Sequence, residues 1–126
     1  MIVGIGIDVV ELARIQAVYE RHHERFLKRL LTPAEREYVL QYADPTQRLA
    51  GRWAAKEAAL KALGTGLAAG IRWRDVEILN AAGGKPELTL HGQAAERARA
   101  LCATAWHVTI THSDLLAVAQ VILESA

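Results

Sequence analysis

The stretch RLAGRWAAKEAALKAL, residues 48–63, decides the fold, because it is a long helical pattern with a clear start and stop. The preceding Asp44-Pro45-Thr46-Gln47 combines a capping residue with a proline at the first helical position, which predicts the start of a helix. Gly64, directly after the pattern, predicts its end. The expected core stripe of this helix consists of Leu49, Trp53, Leu60 and Leu63.

Three segments before this helix carry their own signals. Residues 2–10 are apolar and β-branched but too few for a helix, so they predict a buried strand. From Glu11 onward, apolar residues recur at spacings of three and four as far as Phe26, which predicts an amphipathic helix. The sequence Thr32-Pro33-Ala34-Glu35 is a capping box with proline at the first helical position, and it predicts a short helix.

Turns separate the periodic segments in the second half of the chain. The segments predict a strand with a slip in its middle, a short partner strand, a helix and two final strands. In order, these are residues 71–79, 87–90, 93–103, 106–111 and 115–123. Because the last segment is apolar throughout, we expect it to be covered on both faces. The predicted fold class is α+β, a small antiparallel sheet packed against helices, in one domain of residues 1–126.

Length and composition exclude several classes of protein. The chain has 126 residues, and 15 Lys and Arg against 14 Asp and Glu give a formal charge of +1, which excludes a wholesale polyanion binder. No apolar run reaches the roughly 18–20 residues that span a bilayer, and the first residues lack the basic leader of a secretory signal. A single cysteine, Cys102, excludes an internal disulfide and a Cys-rich zinc site. We therefore expect a soluble protein of a reducing, cytoplasmic compartment with no membrane partner.

Asp8, Glu57 and Lys61 are the first candidates for chemistry. Asp8 interrupts an apolar strand, where a buried carboxylate needs a partner; it can cap the following helix or bind a hard cation. Glu57 and Lys61 stand four apart on the long helix, a spacing that also suits an exposed ion pair. On a helix otherwise built of alanine, leucine and one tryptophan, Arg52 and Lys56 add to this concentration of charge.

Glycines and a histidine supply weaker signals. Residues 64–70 form a glycine-rich loop, which can approach a phosphate or simply end the helix. The loop is neither a Walker loop nor a Rossmann fingerprint, because no Gly-Lys-Ser/Thr follows a strand, and Gly4 and Gly6 lie within one. The sequence GGKP at 83–86 suits a hairpin turn, and His112 at a strand end suits a structural role as well as catalysis.

Four blocks, taken together in their order, are far more specific than any single signal. They are GIGIDVVELARI at 4–15, RWAAKEAALKALGTG at 52–66, GGKPELTL at 83–90 and TITHSDLLAVAQVI at 109–122. Over nearly its full length the chain resembles the holo-acyl-carrier-protein synthases, the small phosphopantetheinyl transferases. The resemblance implies that the phosphopantetheine arm of coenzyme A is transferred to a serine of apo acyl carrier protein in fatty acid biosynthesis, with release of adenosine 3′,5′-bisphosphate.

The resemblance also implies roles for individual residues. Asp8 and Glu57 match the family's metal positions, and Lys61 matches a lysine that contacts the phosphates, so catalysis is assigned to Glu57 and Lys61. The remaining residues of the expected coenzyme A site are Arg52, Gly64, Gly66, Pro86 and His112. The expected carrier-binding residues are Arg14, Arg21 and Arg25, on a helical stripe that continues to Lys28.

These residue types suit Mg²⁺, or Mn²⁺ in its place. Mg²⁺ is bound through one or two carboxylates, with water and substrate phosphates completing its octahedron. The ion would bridge the pyrophosphate and offset charge on the leaving phosphate. Lys61, one turn beyond Glu57, can reach the same phosphates. Glu57, or a metal-bound water that it orients, is the expected general base.

The chain departs from the family's pattern in places, and two other functions compete. Ser113 stands where members often carry an acidic residue, with Asp114 next, and Trp53 replaces the usual phenylalanine. A non-catalytic module that binds coenzyme A or a nucleotide would gain little from two carboxylates near phosphates. A nucleic-acid-binding domain would need exposed aromatics and a reading motif, so no nucleic acid is expected as a partner.

The last strand also predicts assembly. Residues 115–119 and 121–123 are apolar on both strand faces, and one core covers only one face easily. Larger relatives that resemble two such domains in tandem place the site between their halves, so the resemblance implies a cyclic homotrimer with shared sites. We expect Asp8 and His112 of one protomer to meet Glu57 and Lys61 of its neighbour.

Overall fold

The computed structural model describes all 126 residues as five strands and five α-helices. The strands are Ile2–Glu11 (β1), Val76–Asn80 (β2), Pro86–Leu90 (β3), Ala103–His112 (β4) and Leu116–Ser125 (β5). The helices are Leu12–His22 (α1), Glu24–Leu30 (α2), Pro33–Val39 (α3), Thr46–Leu63 (α4) and Gly92–Ala100 (α5). The predicted α+β class with antiparallel pairing is confirmed. None of the helices combines the length and apolarity needed to cross a membrane.

Helix α4 lies at the centre of the fold and is buried on most of its surface. The predicted core residues Leu49, Leu60 and Leu63 are buried, and so are the alanines between them. Gly64 ends the helix in the left-handed conformation (φ 79°), as its position predicts. The start differs by one residue from the expected capping pattern, since Pro45 is the capping position and Asp44 accepts a hydrogen bond from the backbone N–H of Thr46 (3.1 Å).

Two glycines allow α4 to lie directly on β1. A Cβ atom at Gly6 would lie 1.8 Å from the carbonyl oxygen of Ala58, and one at Gly4 would lie 2.3 Å from that of Ala62. Real Cβ atoms essentially never come within 3.0 Å of another heavy atom, so only glycine fits at either position. Because Gly4 meets Ala62 and Gly6 meets Ala58, α4 runs antiparallel to β1. From Gly6 the strand continues to Asp8, which lies closer to the N-terminal end of α4 than Gly6 does.

The main sheet has the strand order β1-β5-β4 and is covered by α4 on one face. Buried β5 residues on this inner face are Ala117, Ala119, Val121 and Leu123. The outer face presents Ile5, Ile7 and Val9, which are 56%, 56% and 59% exposed, beside half-buried Val118 and Ile122. The prediction that β1 is a buried strand is therefore wrong, because β1 lies at the sheet edge. Within one chain, β5 also has only one fully covered face.

Two boundaries in the second half differ from the predictions. The predicted slip in residues 71–79 is a short 3₁₀ turn at Trp73–Asp75, where the Asp75 carboxylate accepts a hydrogen bond from the Arg72 N–H (2.9 Å). Strand β2 then pairs with β3 in the predicted hairpin. Helix α5 ends at Ala100 rather than 103, because the chain turns at Cys102 (φ 62°) into β4.

The predicted helix from Glu11 to Phe26 is two helices. His23 adopts φ 43°, which ends α1 and starts α2. Ile15 and Phe26 nevertheless both face the core, so the apolar spacing survives the break. The capping box of α3 is confirmed: Thr32 Oγ1 accepts from the Glu35 N–H (3.2 Å), and the Glu35 carboxylate accepts from the Thr32 N–H (2.9 Å).

A buried ion pair, not predicted from the sequence, joins α3 to α4. Lys56 Nζ lies 2.8 Å from Glu35 Oε1, and both side chains are fully buried. Lys56 also donates to the carbonyl oxygens of Trp73 (3.1 Å) and Val76, while Glu35 Oε2 accepts from the Ile78 N–H (2.9 Å). Burial lowers the pKa of the Lys56 ammonium, and the Glu35 charge opposes this effect. The pair thus fixes α3, α4 and β2 relative to each other.

Removing one member of this pair is expected to destabilise the fold strongly. Lys56→Met leaves the Glu35 carboxylate buried without a counter-charge, and such a change costs about 3–5 kcal/mol. Adding Glu35→Gln removes the orphaned charge and should restore part of the lost free energy of unfolding. Urea denaturation of the wild type, the single variant and the double variant measures this. A double variant no more stable than Lys56→Met would contradict the electrostatic explanation.

Candidate active site

Asp8 on β1 and Lys61 on α4 form an ion pair at the surface between these two elements. Lys61 Nζ donates to Asp8 Oδ1 (3.0 Å) and to the carbonyl oxygen of Ile7 (3.0 Å). The Asp8 side chain is 17% exposed, and no side chain caps α1, so the helix-capping alternative for Asp8 is wrong. The exposed Glu57–Lys61 ion pair is not formed either, since Lys61 bonds to Asp8.

Glu57 lies close enough to Asp8 for the two carboxylates to repel each other. Burial raises the pKa of Glu57 above its ordinary value, and the charge of Asp8 raises it further. Lys61 and Arg14 oppose this shift. We call Asp8, Glu57 and Lys61 the carboxylate cluster; its two acids make an added cation or proton favourable.

The carboxylate cluster contains two acids and no further ligand of the kind that transition metals prefer. No group of three or more His, Cys, Asp or Glu side chains is arranged to hold a metal ion by itself. Mg²⁺ differs from zinc in this respect, because one or two carboxylates suffice when substrate phosphates supply further oxygens. Asp8 and Glu57 therefore fit Mg²⁺ or Mn²⁺ shared with a phosphate-bearing substrate.

A groove of about 180 Å³ lies on another side of α4, towards the β2–β3 hairpin and β4. We call it the arginine groove; the polar and turn residues that line it include Arg48, Arg52, Asn80, Pro86 and His112. The Arg52 guanidinium lies 4.4 Å from the ring centre of Tyr38 and is almost completely buried. Burial lowers the pKa of Arg52, and the Glu35 carboxylate opposes the shift.

The carboxylate cluster and the arginine groove lie on opposite sides of α4. Arg52 and Lys61 are nine residues apart, which at about 100° per residue places them half a turn from each other around the helix. The helix body, about 10 Å wide, therefore separates the two sites within one chain. The expected grouping of Asp8 with His112 is wrong. Asp8 lies with Glu57 and Lys61 of its own chain because Gly4 and Gly6 place β1 directly under α4.

The two predicted loop glycines follow the carboxylate cluster at the end of α4. Gly64 donates its N–H to the carbonyl oxygens of Leu60 and Lys61, so it ends the helix about one turn after Lys61. Gly66 has φ 58°, and a Cβ placed on it would meet nothing within 4 Å. Neither glycine lines the arginine groove. Their backbone is accessible beside Lys61, but it is separate from Pro86 and His112.

An apolar groove of about 420 Å³ lies between α1, α2 and α4. Its aromatic floor is a row of rings, with Trp53 centred 6.0 Å from Phe26 and 5.0 Å from Trp73. Leu67 of the glycine-rich loop lines the same groove. The Arg14 guanidinium lies over Trp53, 5.8 Å from the centre of the Trp53 ring. Arg14 therefore contacts this groove, and its charge also lowers the pKa of Glu57.

The predicted single stripe of basic residues is replaced by a rim around the apolar groove. Arg25 and Arg29 line the groove, while Arg14 and Arg21 line an adjoining pocket that shares Val18 and His22 with it. The break at His23 rotates α2 relative to α1, so the helical spacing does not carry through to Lys28. Lys28 lines neither cavity, and Arg29 was not predicted.

Ser113 and Asp114 belong to the turn between β4 and β5. Ser113 Oγ accepts hydrogen bonds from the N–H groups of Leu115 and Leu116, each at 3.2 Å. Asp114 is exposed and lines a cavity with Asp44 at the start of α4 rather than the carboxylate cluster. Ser113, which replaces the acidic residue of the family's pattern, therefore stabilises the turn between β4 and β5.

Arg48, Asn80 and Tyr38 are site residues that sequence reasoning missed. A signal for Arg48 was available, because it lies four residues before Arg52 and therefore on the same side of α4. Tyr38 and Asn80 gave no comparable signal. They reach Arg52 only through the packing of α3 and the hairpin against α4.

Comparisons with known proteins agree on one family. Residues 4–112 match the family model described as the 4′-phosphopantetheinyl transferase superfamily. A holo-[acyl-carrier-protein] synthase of Solidesulfovibrio magneticus is 57% identical over 124 residues, covering 98% of this chain and 99% of the relative. The fold is similar to a crystal structure of holo-[acyl-carrier-protein] synthase from Neisseria meningitidis (TM-score 0.91, 33% identity, 99% of this chain and 100% of that chain). It is also similar to the Bacillus anthracis synthase in complex with CoA (3′,5′-ADP) (TM-score 0.84, 40% identity, 100% and 99% covered).

Proposed function

The chain belongs to the 4′-phosphopantetheinyl transferase superfamily, within its holo-[acyl-carrier-protein] synthases, and from this we propose the reaction and the residues that perform it. The enzyme transfers the phosphopantetheine arm of coenzyme A to a serine of apo acyl carrier protein. A bond forms between the serine oxygen and the phosphorus that carries pantetheine, and the bond from that phosphorus to the 5′-phosphate oxygen breaks. Adenosine 3′,5′-bisphosphate leaves, and the serine proton passes to a base.

The observation that carries the assignment of residues is the carboxylate cluster. It joins Asp8, Glu57 and Lys61 from two elements, with the ammonium 3.0 Å from the Asp8 carboxylate. A protein that only bound a nucleotide would gain little from two mutually repelling acids beside its phosphates. Two carboxylates and a half-exposed lysine suit phosphoryl transfer, where charge on the leaving group must be offset.

We propose that Asp8 and Glu57 hold Mg²⁺, or Mn²⁺, together with oxygens of the pyrophosphate. When bound, the ion supplies positive charge to the leaving phosphate and aligns the two phosphates. The raised pKa of Glu57 supports this site, since burial and Asp8 leave negative charge there without full compensation. We expect Lys61 to turn from Asp8 to a phosphate oxygen when substrate binds, because its side chain is 54% exposed.

Glu57 is the proposed acceptor of the serine proton. With no cation bound, burial and the neighbouring Asp8 raise the pKa of Glu57, which favours uptake of a proton at this carboxylate. Arg14 opposes this shift and lies beside the apolar groove, so it is placed to orient the carrier near the base. The arginine groove takes the nucleotide part of coenzyme A, with Arg52, Pro86 and His112 as its proposed contacts.

We further propose a cyclic homotrimer in which each site combines the carboxylate cluster of one protomer with the arginine groove of its neighbour. A single coenzyme A could contact the carboxylate cluster and the arginine groove of one chain only by passing around α4. The outer sheet face supports pairing between copies, because Ile5, Ile7 and Val9 are more than half exposed there. Contiguous apolar surface of this kind is typical of an interface.

The apolar groove is the proposed docking surface for the carrier. Acyl carrier proteins are acidic, and here an aromatic floor at Phe26 and Trp53 is bordered by Arg14, Arg21 and Arg25. Charge complementarity of this kind mainly sets encounter rate and register. We place the enzyme, as one domain of residues 1–126, in the cytoplasm, where both proposed substrates are used.

Charge reversal on the rim of the apolar groove is expected to raise the KM for the carrier protein without changing the KM for coenzyme A. Arg21→Glu combined with Arg25→Glu should raise the KM for apo carrier about tenfold and leave the KM for coenzyme A unchanged, since rim charges mainly affect association. Lys28→Glu is the control on the same segment, because Lys28 is also exposed but lines neither cavity. An equal effect of Lys28→Glu would indicate general charge attraction rather than a docking surface.

Mass spectrometry of the carrier tests the proposed function directly. The protein is mixed with coenzyme A, Mg²⁺ and apo acyl carrier protein, and the carrier should gain one phosphopantetheine. A chelator should stop the reaction, and excess Mg²⁺ or Mn²⁺ should restore it. No gain of mass with a carrier that another synthase modifies would contradict the function, and full activity with the chelator would contradict the metal site alone.

A further inference from the structure

Asn80 connects the two elements that form the arginine groove. Its side-chain Oδ1 accepts a hydrogen bond from Arg52 Nη2 (2.5 Å), and its Nδ2 donates to the carbonyl oxygen of Gly84 (2.8 Å). Arg52 belongs to α4, whereas Gly84 lies in the turn between β2 and β3. One amide group therefore fixes the guanidinium and the hairpin turn relative to each other.

The Arg52 guanidinium is also restrained on its face. It stacks on the Tyr38 ring at 4.4 Å, and the residue is only 4% exposed. Its Nε–H is buried and has no hydrogen-bond partner. Buried donors almost always have acceptors, and one without an acceptor is unfavourable, so an acceptor brought by a ligand into the groove that Arg52 lines would be stabilised there.

We propose that Asn80 is a positioning residue for coenzyme A, which acts by holding Arg52 so that its Nε–H meets an anionic oxygen of the bound nucleotide. The inference rests on the proposed function. Both polar atoms of the Asn80 side chain are already hydrogen-bonded, to Arg52 and to Gly84. The bond to the Gly84 carbonyl holds the Asn80 amide in the orientation in which its Oδ1 faces Arg52. Arg48, stacked on Tyr42 at 3.8 Å, adds a second positive charge to the same groove.

Steady-state kinetics of Asn80→Ala separate this role from a general structural one. Loss of a hydrogen bond to a charged group should raise the KM for coenzyme A about tenfold. The KM for apo carrier and kcat should stay within about twofold of the wild type, because the carboxylate cluster and the apolar groove lie away from Asn80. Gly83→Ala is the matched control in the same turn, since a Cβ there meets nothing within 4 Å.

A double-mutant cycle tests whether Asn80 acts through Arg52. In an Arg52→Met background, Asn80→Ala should raise the KM for coenzyme A by less than about twofold. Equal effects in both backgrounds would overturn the inference. Should Arg52→Met not fold, calorimetric titration of Asn80→Ala with 3′,5′-ADP decides, and wild-type affinity would overturn it.

The same experiments separate this inference from the proposed function. A wild-type protein that neither binds 3′,5′-ADP nor modifies the carrier would refute the proposed function. A wild type that does both, together with an Asn80→Ala variant whose KM for coenzyme A is unchanged, would refute the positioning role alone.

Discussion

Mixing an inactive Asp8→Ala protein with an inactive His112→Ala protein is expected to restore phosphopantetheinyl transfer. Each single variant should lose nearly all activity, because Asp8 belongs to the carboxylate cluster and His112 to the arginine groove. In a mixed ring, some interfaces join the intact cluster of one protomer to the intact groove of the next. After random exchange of equal amounts, about one quarter of the sites are of this kind. The measurement is transfer activity before and after subunit exchange.

The matched control is a mixture of Asp8→Ala with Glu57→Ala, which should stay inactive. Both carboxylates lie in one chain beside Lys61, so every site in that mixture lacks one of them. Recovery in the control mixture would mean that the two acids come from different protomers. No recovery in the first mixture, with subunit exchange demonstrated by mass spectrometry, would mean that one chain builds the whole site.

Gly6→Ala is expected to destabilise the fold by about 3 kcal/mol or more. The added methyl carbon would lie 1.8 Å from the carbonyl oxygen of Ala58, and the backbone of α4 cannot give way without moving off the sheet. Overpacking a core usually costs about 1–3 kcal/mol, and a contact with backbone is at or beyond the upper end. Thermal unfolding followed by circular dichroism, with the yield of soluble protein, measures the loss.

Two further variants test whether the loss of stability in Gly6→Ala comes from the clash with the Ala58 carbonyl oxygen. Gly83→Ala adds the same methyl group in open space and should change the free energy of unfolding by less than about 0.5 kcal/mol. Ala58→Gly should not rescue Gly6→Ala, since the clash is with a main-chain oxygen rather than a side chain. A Gly6→Ala protein that unfolds at the wild-type temperature would contradict the close approach of α4 to β1.

Helix ends that carry a local capping signal were the most predictable part of the fold. The capping box at Thr32 and the glycine after Leu63 act through bonds to residues within one turn, so neighbouring sequence contains the whole signal. The break at His23 had no such signal. Apolar residues on either side keep the same spacing whether the helix is continuous or broken at one residue.

Members of the candidate site were easier to predict than their grouping. Asp8, Glu57 and Lys61 stand out as charges in apolar surroundings, but which of them meet depends on how α4 crosses the sheet. Gly4 and Gly6 carried that information, because alternate glycines on one strand face mark a close backbone approach. The Glu35–Lys56 pair was hidden for a different reason: a salt bridge across 21 positions leaves no local pattern.

The row of indole rings in the apolar groove gives this protein a built-in optical reporter. Trp53 and Trp73 lie 5.0 Å apart on the groove floor, so their emission depends on the polarity and water content of that surface. The third tryptophan, Trp106, donates to the carbonyl oxygen of Leu88 (2.7 Å) outside the groove and supplies a constant background. A carrier that covers the groove should therefore shift the emission to shorter wavelength without any label, and Trp53→Phe should remove most of that spectral change.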